Sequence, residues 1–270
     1  MSNIQLTTPP TPRTFGMFNT LGLWTLYKKE VHRFLKVGLQ TVVAPVGSTL
    51  LFMVVFAVAI GSSRPAINGV DFTLFLAPGL ILMALLNNAF ANSSSSILVA
   101  KVQGNTVDFL MPPLSALELT IAFIAGAITR GIVVAAVTAI ALAPFIDLRP
   151  SHIWAVVYFG LGSAAMLGMV GLLAGVWAEK FDHLSAVNQF LITPLTFLSG
   201  TFYSVTMLPE PIRTISQYNP FFYMIDGFRY GFTGVADGTV MIGVGLILVI
   251  NIALAAACYW VLRAGWRLKS

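Results

Sequence analysis

Six stretches of about twenty mostly apolar residues recur along the chain, at roughly 38–60, 73–98, 116–144, 153–177, 185–203 and 240–262. An α-helix rises about 1.5 Å per residue and a bilayer core is about 30 Å thick, so each stretch is long enough to cross it. Hydrocarbon offers backbone amides no partner, and a segment that coils into a helix satisfies its own. The expected fold class is an all-α integral membrane protein with six transmembrane helices. Because 57% of the 270 residues are hydrophobic and 9% charged, nothing the size of a soluble catalytic domain, about 100 residues, is left over. Residues 1–37 hold Pro9, Pro10 and Pro12, then basic residues, and no apolar core. They read as a cytoplasmic N-tail and not a cleaved signal, ahead of one six-span unit over 38–270.

An even number of spans returns both termini to one face, and the lysines and arginines say which face that is. Arg13, Lys28, Lys29, Arg33, Lys36, Lys101, Lys180, Arg263, Arg267 and Lys269 gather on the side of the termini. Arg64, Arg149, Arg213 and Arg229 fall opposite, and Arg130 lies inside the third span. Both termini are therefore expected in the cytoplasm. The net charge of +5 reads as cytoplasmic loops beside lipid headgroups, not as a nucleic-acid surface.

Between Thr20 and Lys36, Leu21, Trp24, Tyr27, Val31, Phe34 and Leu35 recur at helical spacing, with Lys28, Lys29, Arg33 and Lys36 opposite them. This pattern predicts an amphipathic helix in the cytoplasmic interface, with Trp24 on its apolar side. The segment 204–239 mixes charges and prolines with many Phe, Tyr and Met residues, which suits short re-entrant helices at the outer face.

The chain lacks the usual marks of chemistry. Cys258 is its single cysteine, and His32, His152 and His183 are scattered, so no catalytic, cofactor or metal cluster is expected. Asp108, Glu118, Glu179 and Asp182 fall near the cytoplasmic face and Asp71, Asp147, Glu210, Asp226 and Asp237 near the other, so no acid is expected deep in a span. That removes the commonest signature of an ion-coupled carrier. No lysine follows a glycine, so no phosphate-binding P-loop exists either.

Arg130, about fourteen residues into the third span, must face protein or water, because an unpaired guanidinium in lipid is costly. Two readings stand: it meets an anionic headgroup in a translocation path, or it ties neighbouring helices together. Asn88, Asn92 and Ser95 share one face of the second span and must turn inward, either to line a path or to bond between helices. Gly168, Gly171 and Gly175 in the fourth span predict close helix packing. The loop KVQGNTVDFLMPPLS, Lys101 to Ser115, predicts a short amphipathic helix through Val102, Val107, Leu110 and Met111, as a partner surface or resting on lipid.

Taken in order, these features resemble the membrane subunits of ABC type-2 exporters over nearly the whole chain. The stretch GTFYSVTMLPEPIRTISQYNPFFYMIDGFR, Gly200 to Arg229, is similar to the family pattern after the fifth helix, with Leu208-Pro209, Asn219-Pro220, Tyr223 and Arg229 in place. In the loop, Lys101, Gly104, Asp108, Pro113, Leu114, Ser115 and Glu118 match the coupling region. Within the family it looks like the short YadH-like and nodulation-exporter permeases. Ser204 departs from a proline common after the aromatic pair, and Asp108 from a glutamate.

The resemblance implies a homodimer of six-span permeases in the bacterial inner membrane, with two copies of a separate ATPase. ATP and Mg would bind that partner and no cofactor would bind this chain. It implies that the 101–112 loop, with Lys101, Gly104, Asp108 and Leu110, is the coupling helix, beside the interfacial helix carrying Trp24, Lys28, Lys29 and Arg33. Asn219, Pro220, Tyr223 and Arg229 would form an outer gate, Arg229 snorkelling to headgroups or pairing with Asp226. Arg130, Asn88 and Asn92 remain path or packing residues. The expected function is export of a lipid, glycolipid, polysaccharide-linked or other amphipathic substrate, with an integral membrane enzyme acting on lipids, or a secondary carrier, as the alternative.

Overall fold

The computed structural model describes residues 18–57 and 66–268. The proline-rich N-tail, Arg13, Arg64, Lys269 and residues 58–60 of the expected first span lie outside the described residues. The chain forms α1 (Thr20–Lys36), a π-helical stretch Leu39–Val43 running into α2 (Ala44–Phe56), α3 (Phe72–Val102), α4 (Val107–Leu110), α5 (Ala116–Leu142) and α6 (Ile153–Trp177). It continues with α7 (Phe181–Val187), a π-helical stretch Asn188–Ile192, α8 (Thr193–Leu198), α9 (Glu210–Tyr218), α10 (Pro220–Thr233) and α11 (Val240–Ala264). No strand occurs among the described residues.

Among the described residues, five helices are long and apolar enough to cross a membrane: Leu39–Phe56, α3, α5, α6 and α11. The expected span at 185–203 is different. Its helical path starts at Phe181, widens to π geometry over Asn188–Ile192 and ends at Leu198. Pro194 is the cause: it cannot donate to the carbonyl four residues back and its ring crowds that carbonyl, so the preceding turn widens. Pro45 sits in the same relation to the π stretch Leu39–Val43. Asp182, His183, Asn188 and Gln189 make the first half of this segment more polar than the other five.

α3 is the central helix and packs against α5 and α6. Some 78% of its most apolar window is buried, against 22% for the Leu39–Phe56 helix and 11% for α11. Those two present their Leu, Ile and Val side chains outward, as spans that face lipid or a second subunit do. The small residues of α6 set its distance from α3. A methyl group on Gly175 would lie 2.7 Å from the Ser94 carbonyl, and one on Gly171 would run into the Phe90 carbonyl. Only glycine lets the two backbones meet this closely, as expected of that stripe.

Candidate functional site

Near the C-terminal end of α3, helix α1 packs against α5 and α3. Its start is fixed on two sides. The Asn19 side chain caps it by accepting from the Gly22 amide at 2.9 Å and donates to the Pro113 carbonyl at 3.2 Å. The Asn19 amide donates to Glu118, whose carboxylate also accepts from the Ser115 amide and hydroxyl at 2.7 and 2.8 Å in a capping box that opens α5.

About three turns into α1 a charge is buried. Glu30 is 1% exposed, accepts from the Ser96 hydroxyl at 2.7 Å and pairs with Arg33 at 3.1 Å. The Arg33 guanidinium reaches across to α3, donating to the Asn92 carbonyl at 2.7 Å, its side-chain oxygen at 3.1 Å and the Ser95 hydroxyl at 3.1 Å. Gly126 of α5 makes the space, since a methyl group there would lie 2.8 Å from the Glu30 Cβ. Two buried atoms of this cluster have no hydrogen-bond partner among the described residues, Arg33 Nε and Asn92 Nδ2.

Deeper in the bundle, Arg130 finds the partner that its position demands. Its Nε and Nη2 both donate to the Asn88 side-chain oxygen, at 3.2 and 3.1 Å, linking α5 to α3. A second tie joins Tyr27 of α1 to Thr129 of α5 at 3.0 Å. The polar stripe of α3 therefore faces inward, as expected, and binds helices together.

This arrangement revises the sequence reading of α1. Arg33, expected on the solvated face, points into the protein, and the buried stripe is Leu26, Glu30 and Phe34. Leu21, Trp24 and Leu35 stay exposed, as do Lys28, Lys29 and Lys36. Glu30 went unplaced in the sequence reading. Its signal was its register, four residues from both Leu26 and Phe34, which puts a carboxylate in the middle of an apolar stripe.

In the loop after α3, the helix is one turn long, and its anchor is Phe109, which lies edge-on to Phe123 at 5.6 Å. Val102, Val107 and Met111, expected on the apolar face, are exposed. Lys101 turns back, donating to the Val176 and Ala178 carbonyls at 2.6 Å each, and so caps the end of α6 as lysine can. Gly104 is exposed at φ +72°, Asp108 is exposed and Leu110 is half-buried.

At the other end of the bundle, Arg229 neither snorkels nor makes an ion pair with Asp226. It is 2% exposed, donates to the carbonyls of Phe75 at 3.0 Å and Gly200 at 2.6 Å, and stacks its guanidinium 3.8 Å from the Phe75 ring centroid. Packing of α10 against α3 brings the Phe75 and Gly200 carbonyls within hydrogen-bond reach, so the side chain turns inward to them. Asp226 instead accepts from the amides of Asp237 and Gly238 at 2.8 and 2.9 Å. Burial pushes its carboxyl up to about 6, against the pull of those amides and of Arg229. Asp237 in turn accepts from the Ser204 hydroxyl, the Val205 amide and the Asn68 side chain. Asn219 caps α10 at the Phe221 amide and donates to Leu195 and Ser199, with Pro220 as the first helical residue. Tyr223 is half-buried against Gly243 of α11. No group of three or more metal-ligating side chains occurs among the described residues.

Comparison with known proteins is consistent with this geometry. Residues 22–233 match the ABC-2 type transporter family. The chain is 38% identical over 252 residues to the inner membrane transport permease YadH of Escherichia coli K12, covering 93% of this chain and 98% of that one. It is 22% identical over 240 residues to nodulation protein J of Rhizobium leguminosarum bv. viciae, covering 87% and 90%. With its apolar helices, this likeness makes it a multi-pass inner-membrane protein of a transport family, and the reading as a lipid-modifying enzyme falls away. The chain belongs to the ABC-2 type transporter family, as a membrane permease subunit.

Proposed function

We propose that this permease forms a homodimer, pairs with two copies of a separate ATPase that binds ATP and Mg, and exports an amphipathic substrate such as a lipid or saccharide-linked lipid. The single observation carrying this reading is that the loop matched to the coupling region and α1 are fastened together, through Asn19 to Pro113 and Glu118. α1 is fastened in turn to α3 and α5 through Glu30, Arg33 and Tyr27. A push on α4 therefore reaches the spans through α1, the differential contact that an ATP-driven switch requires. Gly104 and Asp108 form the docking surface, with Leu110 behind them, and Lys101 holds the loop to α6.

The sixth crossing in this reading is Phe181–Leu198. Ala178 lies beside Lys101 at the C-terminal end of α3, whereas Gly200 is tied through Arg229 to Phe75 at its N-terminal end. The eighteen helical residues between them rise about 27 Å, close to the thickness of a bilayer core. Both termini then lie in the cytoplasm with α1 in the interface, and α9 and α10 fold back at the outer face as a gate over the path.

Co-purification of the tagged chain with its ATPase, followed by hydrolysis assays, tests this. Gly104→Arg should abolish membrane-dependent stimulation while the permease stays folded. Gly104→Asn, which tolerates a left-handed backbone, should retain it. An intact permease that binds no ATPase in detergent or nanodiscs would sink the reading. Transport that follows an ion gradient without ATP would favour the secondary carrier.

A further inference from the structure

We propose that two adjoining cavities beside α1 bind one inner-leaflet phospholipid whose headgroup is a phosphate ester carrying a primary ammonium, the chemistry of phosphatidylethanolamine. This rests on the reading above that α1 lies at the cytoplasmic membrane surface.

The first cavity, about 190 Å³, lies between α1, the end of α3 and α4, and its charged walls are Lys29, Arg33, Glu30 and Asp108. Two cations and two carboxylates face one small space. Part of that charge is committed, since Glu30 and two nitrogens of Arg33 bond to one another and to α3. The remainder is free: Arg33 Nε is buried without a partner, and neither the Lys29 ammonium nor the Asp108 carboxylate makes an ion pair or hydrogen bond among the described residues.

The second cavity, about 280 Å³, shares Leu26, Lys29, Asp108 and Phe109 with the first and is otherwise walled mainly by apolar groups, among them Leu21 and Pro112. Leu21 is exposed there, and Trp24, one turn on in α1, is exposed too. A polar chamber that takes charge of both signs therefore lies directly against an apolar one, with Leu26, Lys29, Asp108 and Phe109 facing both.

A ligand that fits must be anionic at one atom, cationic a few bonds away, and apolar beyond. A phosphate meets Lys29 and Arg33 Nε, and a primary ammonium donates to Asp108. The glycerol and upper chains lie over Leu26, Phe109 and Pro112. A choline headgroup has no N–H to donate to Asp108, and a phosphoglycerol headgroup offers only neutral hydroxyls, with no positive charge to meet that carboxylate.

The test is native mass spectrometry of the purified full chain, without any ATPase, offered equal amounts of phosphatidylethanolamine, phosphatidylcholine and phosphatidylglycerol. Wild type should retain the ethanolamine lipid about fivefold over the other two, the scale of one partly exposed charge-assisted hydrogen bond. Asp108→Asn should bring it down to the level of the choline lipid, and Lys29→Gln should weaken all three. Equal retention of the three by wild type, or a preference that survives Asp108→Asn, overturns the proposal. Displacement of the lipid by millimolar soluble phosphoethanolamine would make the ligand a free zwitterion and overturn the lipid assignment. The placement of α1 is checked separately, by labelling exposed Lys36→Cys, which lines neither cavity, with an impermeant maleimide. Cys258, buried, stays silent. Labelling from the outside alone would remove the topological reading whatever the lipid result, and labelling from the inside with no lipid preference would remove only this proposal.

Discussion

On the topology proposed above, the inner end of the bundle holds a half-buried arginine and the outer end a buried one, and they satisfy them in different ways. At the outer end Arg229 donates to two backbone carbonyls and lies on a phenyl ring, while Asp226 and Asp237 accept from backbone amides. At the inner end Arg33 and Glu30 bind chiefly other side chains, on a different helix, and leave Arg33 Nε and Asn92 Nδ2 over. Main-chain partners cannot rotate away, so the outer knot holds one geometry. Side-chain partners can exchange, so the inner contact can be remade when α1 shifts. The difference suits a stiff outer cap and a movable inner joint.

Four experiments bear on that contrast, from the largest effect to the smallest. Arg229→Ala strips donors from two buried carbonyls and opens a void beside Phe75, and should cost about 3–4 kcal/mol, read as loss of folded protein in size-exclusion profiles. Arg229→Lys should recover little of it, because an ammonium does not reproduce the fork and the stacking. Equal stability of wild type and Arg229→Ala would mean the outer knot is not stiff.

Glu30→Ala leaves the Arg33 charge without its carboxylate and should cost roughly 2–3 kcal/mol. The pair Glu30→Ala with Arg33→Met removes both charges and should be closer to wild type in thermal unfolding, the signature of a coupled pair. Strict additivity would mean that the two side chains act independently.

Asp226 gives the outer end a pH dependence. Its carboxyl stands at about 6 in the folded protein against 3.8 as an ordinary aspartate, so the folded state holds the proton more tightly than the unfolded one. Its stabilising contribution is full below about pH 4 and is lost as pH rises to about 6, a change of roughly 2 kcal/mol. Melting temperature should fall over that window, and Asp226→Asn should flatten the profile. Unchanged curves for the two proteins would refute this. The smallest effect is expected at the Tyr27 to Thr129 tie, where Tyr27→Phe should cost about 0.5–1 kcal/mol.

Much of the architecture was legible along the chain. The span at 153–177 matches α6 end to end, and the third and last spans match α5 and α11 to within two residues, because apolar runs of helical length report directly on transfer into lipid. The inward stripe of Asn88 and Asn92 was equally readable, since lipid gives amides nowhere else to go. The fifth apolar stretch was not, because hydropathy is blind to Pro194 and its widened turn. Arg229 was misjudged since a sequence shows side-chain partners such as Asp226 and not the carbonyls of Phe75 and Gly200. Arg33 was assigned to solvent because one stripe of α1 looks as apolar as its neighbour until α3 and α5 choose between them.

The sequence by itself determined that this chain crosses a membrane repeatedly, packs glycine-lined helices closely and carries no P-loop of its own. These depend on residue-by-residue transfer free energies and on side-chain size, which need no knowledge of neighbours. The tertiary structure alone decided which charges are buried and what each one binds. A polar group's partner depends on which two helix faces meet, and any residue's backbone can be that partner.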